Sequence, residues 1–353
     1  MIKRLDAAGL LALVESAQPV HEIDVAGTDL RGLNLSGAIY NQVSFKGCKL
    51  DDVALKDCTV VSCDFSGASL SGVNAADSIF VDCLFDDASF VNANLNSVPF
   101  RGGSAQRCNF SGADLRDAVF NVCHLGEARL GGAKLEAIAV IECNTAAIDL
   151  SGAVLHRTLL LGVDLTHARL AGMRCEEAVF HKASMAGVDL SGMTLLRSQF
   201  METDLTGARL SRAHLAQTGF KGAKLLGAQL DGVQAPNALF VEADLSQAQL
   251  AGANLAQAHF IDALLTGARF SQARLVQAMF HRARCTGAKF DGANLEYTDF
   301  SYADLSGAEF GGNHWLRTKF HAARRGGLVL PAGASILYDD EELAEAERWP
   351  TAA

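Results

Sequence analysis

Large apolar residues recur every fifth position along most of this chain of 353 residues. All nineteen phenylalanines, Phe45 to Phe320, sit at residue numbers divisible by five. Of the fifty-nine positions in that frame from Leu30 to Phe320, forty-eight are Leu or Phe, and no insertion or deletion breaks the register. A helix repeats its apolar face at 3.6 residues and a strand at two, so a strict five is neither. Two positions in each five are constrained. The frame residue is large, and the residue two before it is small, as at Ala68, Ala113, Ala128, Ala208, Ala253 and Ala293, with Cys, Val or Thr as substitutes. Two inward residues spaced two apart are what a short extended segment offers to a core. Gly often precedes the small residue, as in Gly67-Ala68, Gly207-Ala208 and Gly307-Ala308, which suits a tight turn in every repeat. A short period sustained this long predicts an all-β solenoid.

The segments ADLSGA (Ala303 to Ala308) and ANLAQA (Ala253 to Ala258) resemble the pentapeptide-repeat family, whose pattern is A[D/N]LXX, and the resemblance runs from about residue 23 to 320. It implies a right-handed quadrilateral β-helix with four fives to the coil and the small and large residues pointing inward. Every twentieth residue agrees. Phe80, Phe100 and Phe120 are followed by Val140 and Leu160, then by Phe at every step from Phe180 to Phe320, so one face of four carries a Phe ladder. About fifteen coils at the strand spacing of ~4.8 Å predict a rod roughly 70 Å long. Ala75, Ala105, Thr145 and Ala235 (beside Pro236) interrupt the frame and mark either bends and thin core or drift in a tolerant repeat.

Exposed strand edges at the ends need covers. Residues 1–20 predict a capping helix, 21–323 the β-helix, and 324–353 a closing segment. In that last segment Leu328 to Leu337 reads as a strand, and Asp339 to Trp349 as an acidic helix that either caps the solenoid or dimerises it through Tyr338, Leu343 and Trp349. The apolar run Ala7 to Val14 is too short for a signal peptide, and no stretch reaches the ~18 apolar residues that span a bilayer, so no membrane is expected.

Nine cysteines would ordinarily invite metal or redox chemistry. Seven (Cys48, Cys58, Cys63, Cys83, Cys108, Cys123, Cys143) occupy the small position and two (Cys175, Cys285) the frame, so all are expected in the core, reduced, in a cytoplasmic chain. No phosphate loop, H-E-x-x-H helix or paired C-x-x-C appears. The Asp and Asn before the large residue (Asp114, Asp164, Asp204, Asp244, Asp304, Asn254, Asn294) recur because the repeat wants them. His181, His281 and His321 are expected to share one exposed column, and the first two lie five coils apart, too far to share a site. A filled solenoid offers no cleft, so no catalytic residue, cofactor or metal is expected and an enzyme is disfavoured.

Surface chemistry remains. On the Phe face, the column before the ladder holds Ile39, Ile79, Val119, Leu159, Val179, Leu239 and Met279. The column after it holds Val61, Val81, Ile141, Leu161, Met201, Val241 and Ile261. The other three faces hold far fewer aliphatics outside. An exposed apolar strip points to a protein partner, whose simplest form is a second copy of the chain; ordinary strand propensity is the competing explanation. The expected function is therefore a non-enzymatic protein-binding scaffold or adaptor. The opening I-D-V-A-G-T-D-L-R-G-L-N-L-S-G-A also looks like pentapeptide-repeat modules of bacterial type VI secretion, which implies effector loading.

The same family includes quinolone-protection proteins that resemble DNA and bind gyrase, so the formal charge of −10 bears on the alternative of a DNA-mimicking topoisomerase inhibitor or protector. Residues 21–100 hold eleven acids and four bases, whereas residues 101–320 hold twenty-one of each. Duplex DNA carries a charge every ~1.7 Å, which so local an excess does not copy, and the unbroken frame leaves no projecting loop. The acidic balance also argues against binding nucleic acid directly.

Overall fold

An extended three-residue segment sends alternate side chains to opposite faces, which places the frame residue and the small residue before it on one inner surface. The computed structural model describes residues 3–326, 328, 335–338, 341 and 344–345. It buries both columns: Leu30, Phe45, Ala113, Ala208 and Phe240 have no more than traces of exposed surface. The chain divides into two compact units, Met1–Ser184 and Met185–Ala353. Each is a parallel β-solenoid that advances one rung every twenty residues, as in the pairs Thr59↔Ile79 and Asp204↔Lys224. Between them they hold about sixteen turns.

The first unit runs β1 (Lys3–Arg4), α1 (Ala7–Glu15), β2 (Val20–His21), β3 (Ile23–Asp24), β4 (Ile39–Asn41), β5 (Thr59–Val61), β6 (Ile79–Val81), β7 (Pro99–Arg101), β8 (Val119–Asn121), β9 (Ala139–Ile141), β10 (Val154–His156), β11 (Leu159–Leu161), β12 (Arg174–Glu176) and β13 (Val179–His181). Nine of these, β2, β4 to β9, β11 and β13, stack as one parallel sheet on the Phe face. Asp6 starts α1 by accepting the Gly9 N–H at 2.8 Å, and α1 buries Leu10. Beside α1, β1 pairs in parallel with β3, so both cover the N-terminal edge.

The second unit runs β14 (Leu195–Leu196), β15 (Leu316–Lys319) and β16 (Ser335–Leu337), and most of its turns meet through single-residue bridges. Here β16 pairs in parallel with β15, and the Leu337 carbonyl accepts the Phe320 N–H at 2.9 Å. The strand expected within Leu328 to Leu337 is therefore present at 335–337. Of the helix expected over Asp339 to Trp349, residues 341, 344 and 345 are described and are helical, and the rest lies outside the described residues.

Many corners close with an N–H to carbonyl bond from the small residue to the preceding frame residue, for example Ala208 to Leu205 at 3.0 Å. The second of the two residues between them takes a left-handed backbone, as at Gly207 with φ 63°. Non-glycine residues fill many of these corners, Asp57 (φ 55°), Arg107 (φ 56°) and Val122 (φ 56°) among them. Gly103 is a departure. It sits at an inward position yet has φ +76°, and a Cβ there would lie 2.1 Å from the Cys83 carbonyl oxygen. Only glycine fits that backbone.

Inside the first unit, Phe80, Phe100 and Phe120 stack at 5.3 and 4.5 Å between centroids, and the column changes to Val140 and Leu160. Beside that change a cavity of about 20 Å³ opens among Phe120, Val140, Thr145, Leu160 and their neighbours. A smaller space lies beside Gly102 and Ala105. Two of the interruptions in the five-residue frame therefore coincide with thin core. In the second unit the ladder is unbroken from Phe200 to Phe320, with stacked neighbours 4.7–5.4 Å apart. A second stack, Phe270, Phe290 and Phe310, meets it edge-on.

Candidate functional site

The residue types that could carry chemistry are absorbed by the repeat. All nine cysteines are free and buried. Four of the thiols donate to carbonyls of the preceding turn: Cys48 to Val25 at 3.0 Å, Cys58 to Leu35 at 3.3 Å, Cys83 to Val60 at 3.5 Å and Cys123 to Phe100 at 3.4 Å. Thr158 and Thr218 make the same reach to Leu135 (2.7 Å) and Leu195 (2.9 Å). That shared geometry explains why Cys and Thr alternate with Ala at the small position: a short donor there finds a carbonyl twenty-three residues back. Burial pushes the Cys175 thiol up to about 12, and it also holds Cys108 well above the ordinary range. Neither is a poised nucleophile.

The recurring Asp and Asn also have local work. Asp164 and Asp244 accept the N–H two residues on at 2.9 Å, and Asp204, Asp304 and Asn294 do likewise at 3.0–3.1 Å. The Thr166 hydroxyl and N–H hold the Asp164 carboxyl below its usual range, and Ser191 and Arg209 hold Asp189 down to about 2. Among the described residues, no group of three or more His, Cys, Asp or Glu could hold a metal, and no helix is long and apolar enough to cross a membrane. One expectation needs correcting. His181 and His281 are half-buried rather than exposed, and His321 is buried in the closing turns, with the Tyr302 ring 5.4 Å from its own.

The outward columns on the Phe face divide between the units. In the first, Ile79 and Val81 flank the inward Phe80 on β6, Val119 lies on β8, Ile141 on β9, Leu159 and Leu161 on β11, and Val179 on β13. The register sets Leu159 opposite Ala139 and Val179, and Leu161 opposite Ile141. Ile79 is exposed, and the other six are half-buried by their neighbours above and below. β-branched residues on both sides of the ladder favour extended backbone, so in this unit strand propensity accounts for part of the pattern.

In the second unit that account fails. The same face makes single bridges rather than strands, yet Met201, Leu239 and Met279 stand 37, 40 and 42% exposed, with Val241 and Ile261 half-buried. Beside them runs a groove of about 600 Å³. His259, Met279, Asp299 and Lys319 line it on one side, Asn237, Gln257, Gln277, Tyr297 and Arg317 on the other, and Leu337 of β16 closes one end. Along its wall the Gln257 Nε2–H donates to Gln277 Oε1 at 2.8 Å. The groove was not foreseen, because it depends on corner side chains and on the return of β16. Of the three tail residues expected at a dimer contact, Tyr338 is exposed with the Arg325 guanidinium 5.4 Å above its ring, and Leu343 and Trp349 lie outside the described residues.

Part of the charge is paired. Arg107 bridges Asp87 at 2.7 Å, Arg116 bridges Asp114 at 2.6 Å, Arg209 bridges Asp189 at 2.8 Å and Arg282 bridges Asp262 at 2.7 Å. Several of these join residues twenty apart, so acid and base stack on successive turns.

Two family models match the chain: one described as a pentapeptide repeat region over residues 55–130 and 233–310, and one described as pentapeptide repeats (eight copies) over 28–67, 159–195 and 198–233. Comparison with curated proteins gives no match. Among solved structures, a trypsin-treated form of QnrB1, a plasmid-mediated fluoroquinolone resistance protein, shares 24% identity over 55% of this chain and 96% of its own, with a TM-score of 0.38. HetL, a pentapeptide repeat protein involved in heterocyst differentiation regulation from the cyanobacterium Nostoc, shares 20% over 93% of this chain and all of its own, with a TM-score of 0.19. Rfr23 from the cyanobacterium Cyanothece shares 24% over 37% and 89%, also at 0.19. None of the three superposes closely.

Proposed function

The chain belongs to the pentapeptide-repeat family, and on that premise we propose that it is a non-enzymatic scaffold or adaptor whose Phe face docks a protein partner. The observation that carries the reading is the exposure of Met201, Leu239 and Met279 on a face whose local geometry does not call for aliphatic side chains. Apolar side chains aligned in a column on a rigid surface lose little freedom when a partner covers them, so their burial goes directly into affinity. Such a face suits an adaptor, and the resemblance of the first repeats to type VI secretion modules supplies one setting.

The DNA-mimic alternative has less behind it. QnrB1 is named as a fluoroquinolone resistance protein, but Asp87, Asp114, Asp189 and Asp262 each face an arginine on this chain, and paired charges present little field to a DNA-binding surface.

The test changes the face in each unit separately. One variant carries Leu159→Ser, Leu161→Ser and Val179→Ser; the other carries Met201→Lys, Leu239→Lys and Met279→Lys. Partners captured from the native cell by the wild type should be lost from at least one variant by about tenfold or more, since a single buried aliphatic is worth ~1.5–3 kcal/mol. Far-ultraviolet circular dichroism should be unchanged. Capture that persists at 0.5 M salt, where exposed charges act over less than ~5 Å, would separate the docking face from an electrostatic mimic. Undiminished capture by both variants contradicts the proposal.

A further inference from the structure

Exposed carboxylates flank the apolar face of the first unit, three along one edge and one on the other. Asp57, Asp77 and Asp117 occupy the corners two residues before β5, β6 and β8, and Asp82 directly follows β6. All four are exposed, in left-handed corners with φ of 51–61°. Among the described residues none of them forms an ion pair, although Asp29, Asp87 and Asp114 in the same unit each do. Between Thr59 and Asn121 the two strand columns contain one base, Arg101, and the nearby Arg116 is held by Asp114 at 2.6 Å. Segment charge totals hide this arrangement. It emerges only when the acids are placed on their corners.

Backbone chemistry narrows what can lie there. The N–H groups of Thr59, Ile79 and Val119 already bond the turn before, and those of Ser62 and Asp82 bond the turn after. The face therefore offers side chains and no free strand edge, so a partner cannot add as a strand and must satisfy its own backbone. From the corner at Asp77 to that at Asp82 the chain spans at most ~17 Å, room for one helix of ~10–12 Å diameter. A helix laid along the stack would rise ~5.4 Å per turn, close to the ~4.8 Å between rungs, so its apolar stripe could follow Val61, Ile79, Val81 and Val119.

We infer that this face takes a basic amphipathic helix, its apolar stripe against those aliphatics and its flanking Lys or Arg against Asp57, Asp77, Asp82 and Asp117. The inference rests on the docking reading above and adds the chemistry of the occupant. Opposite charge at the rim speeds encounter and rejects acidic partners, while the strip supplies retention.

Two labelled synthetic peptides about five helical turns long, with one leucine stripe flanked by Lys in the first and by Glu in the second, test it by fluorescence anisotropy on the full chain. The Lys peptide should bind at least about tenfold tighter than its Glu twin, and the gap should narrow as salt rises. Asp57→Asn, Asp77→Asn, Asp82→Asn and Asp117→Asn together keep a residue that tolerates the left-handed corner, and they should bring the two peptides to within about twofold of each other. Ile79→Ser with Val81→Ser should weaken both. Equal binding of the peptides by the wild type, no binding of the Lys peptide, or a preference that survives the four Asn substitutions overturns the basic-helix assignment. Such a result leaves the docking reading standing if the serine and lysine variants of the face still lose captured partners. If those variants lose nothing, the docking reading itself has failed.

Discussion

Phe240→Ala should destabilise the second unit by about 3–5 kcal/mol, the cost of emptying a fully packed aromatic site. Phe240 has no exposed surface, and its ring stacks within 3° of parallel on Phe220 and Phe260, each 4.9 Å away. In a solenoid each turn is held by its two neighbours, so one truncation weakens two interfaces at once. The turns cannot close over the gap without breaking the coil-to-coil bonds, such as Phe240 N–H to the His259 carbonyl at 2.7 Å. Leucine, the commonest residue of the frame, should cost no more than about 1.5 kcal/mol at the same place. Equilibrium urea unfolding of the two variants measures both numbers. An Ala variant within 1 kcal/mol of the wild type would mean that the ladder does not hold the turns together.

The second column predicts the opposite failure. Ala223, Ala243, Ala263, Ala283 and Ala303 stack on successive turns with almost no exposed surface. Ala243→Leu adds three carbons to a column whose neighbours above and below lie ~4.8 Å away, and should cost about 3 kcal/mol through forced rotamers and shifted backbone. Ala243→Thr should cost under about 1 kcal/mol. Its hydroxyl can reach the Phe220 carbonyl as Thr218 reaches Leu195 and Thr298 reaches Leu275. The same unfolding measurement checks the pair. Equal losses for Leu and Thr would show that polarity, not volume, limits this position.

These two columns were legible because their spacing is set by covalent geometry and repeats without interruption. Period five gave the inward positions, period twenty separated the faces, and the cysteines fell into place with them. The recurrent Asp and Asn were read as parts of the repeat, and bonds such as Asp164 to the Thr166 N–H identify the part. Other features depend on what neighbouring turns do with a side chain. Burial of His321 arises from Tyr302 and the closing turns and leaves no mark in the five-residue frame. The unpaired acids at Asp57, Asp77, Asp82 and Asp117 became a rim only when corners were distinguished from strands. Strand length on the Phe face does not follow the flanking residues alone: Ile79 and Val119 accompany three-residue strands in the first unit, but so do Pro99 and Ala139, while Leu239 and Met279 accompany single bridges in the second. The groove ending at Leu337 needed β16, which lies beyond the five-residue frame and pairs in parallel with β15 through a register shift between Leu316 and Thr318.

The claim that the Phe face is the docking surface is tested most directly by oxidative surface labelling of the chain alone and in complex with the protein it captures. Ile79, Met201, Leu239 and Met279 report on that face, while Val154 (50% exposed) and Leu226 (42%) report on others. The account predicts that labelling of at least one unit's Phe-face reporters falls several-fold in the complex while Val154 and Leu226 label as before. Protection of Val154 or Leu226, with Ile79, Met201, Leu239 and Met279 labelled at their free rate, would contradict it.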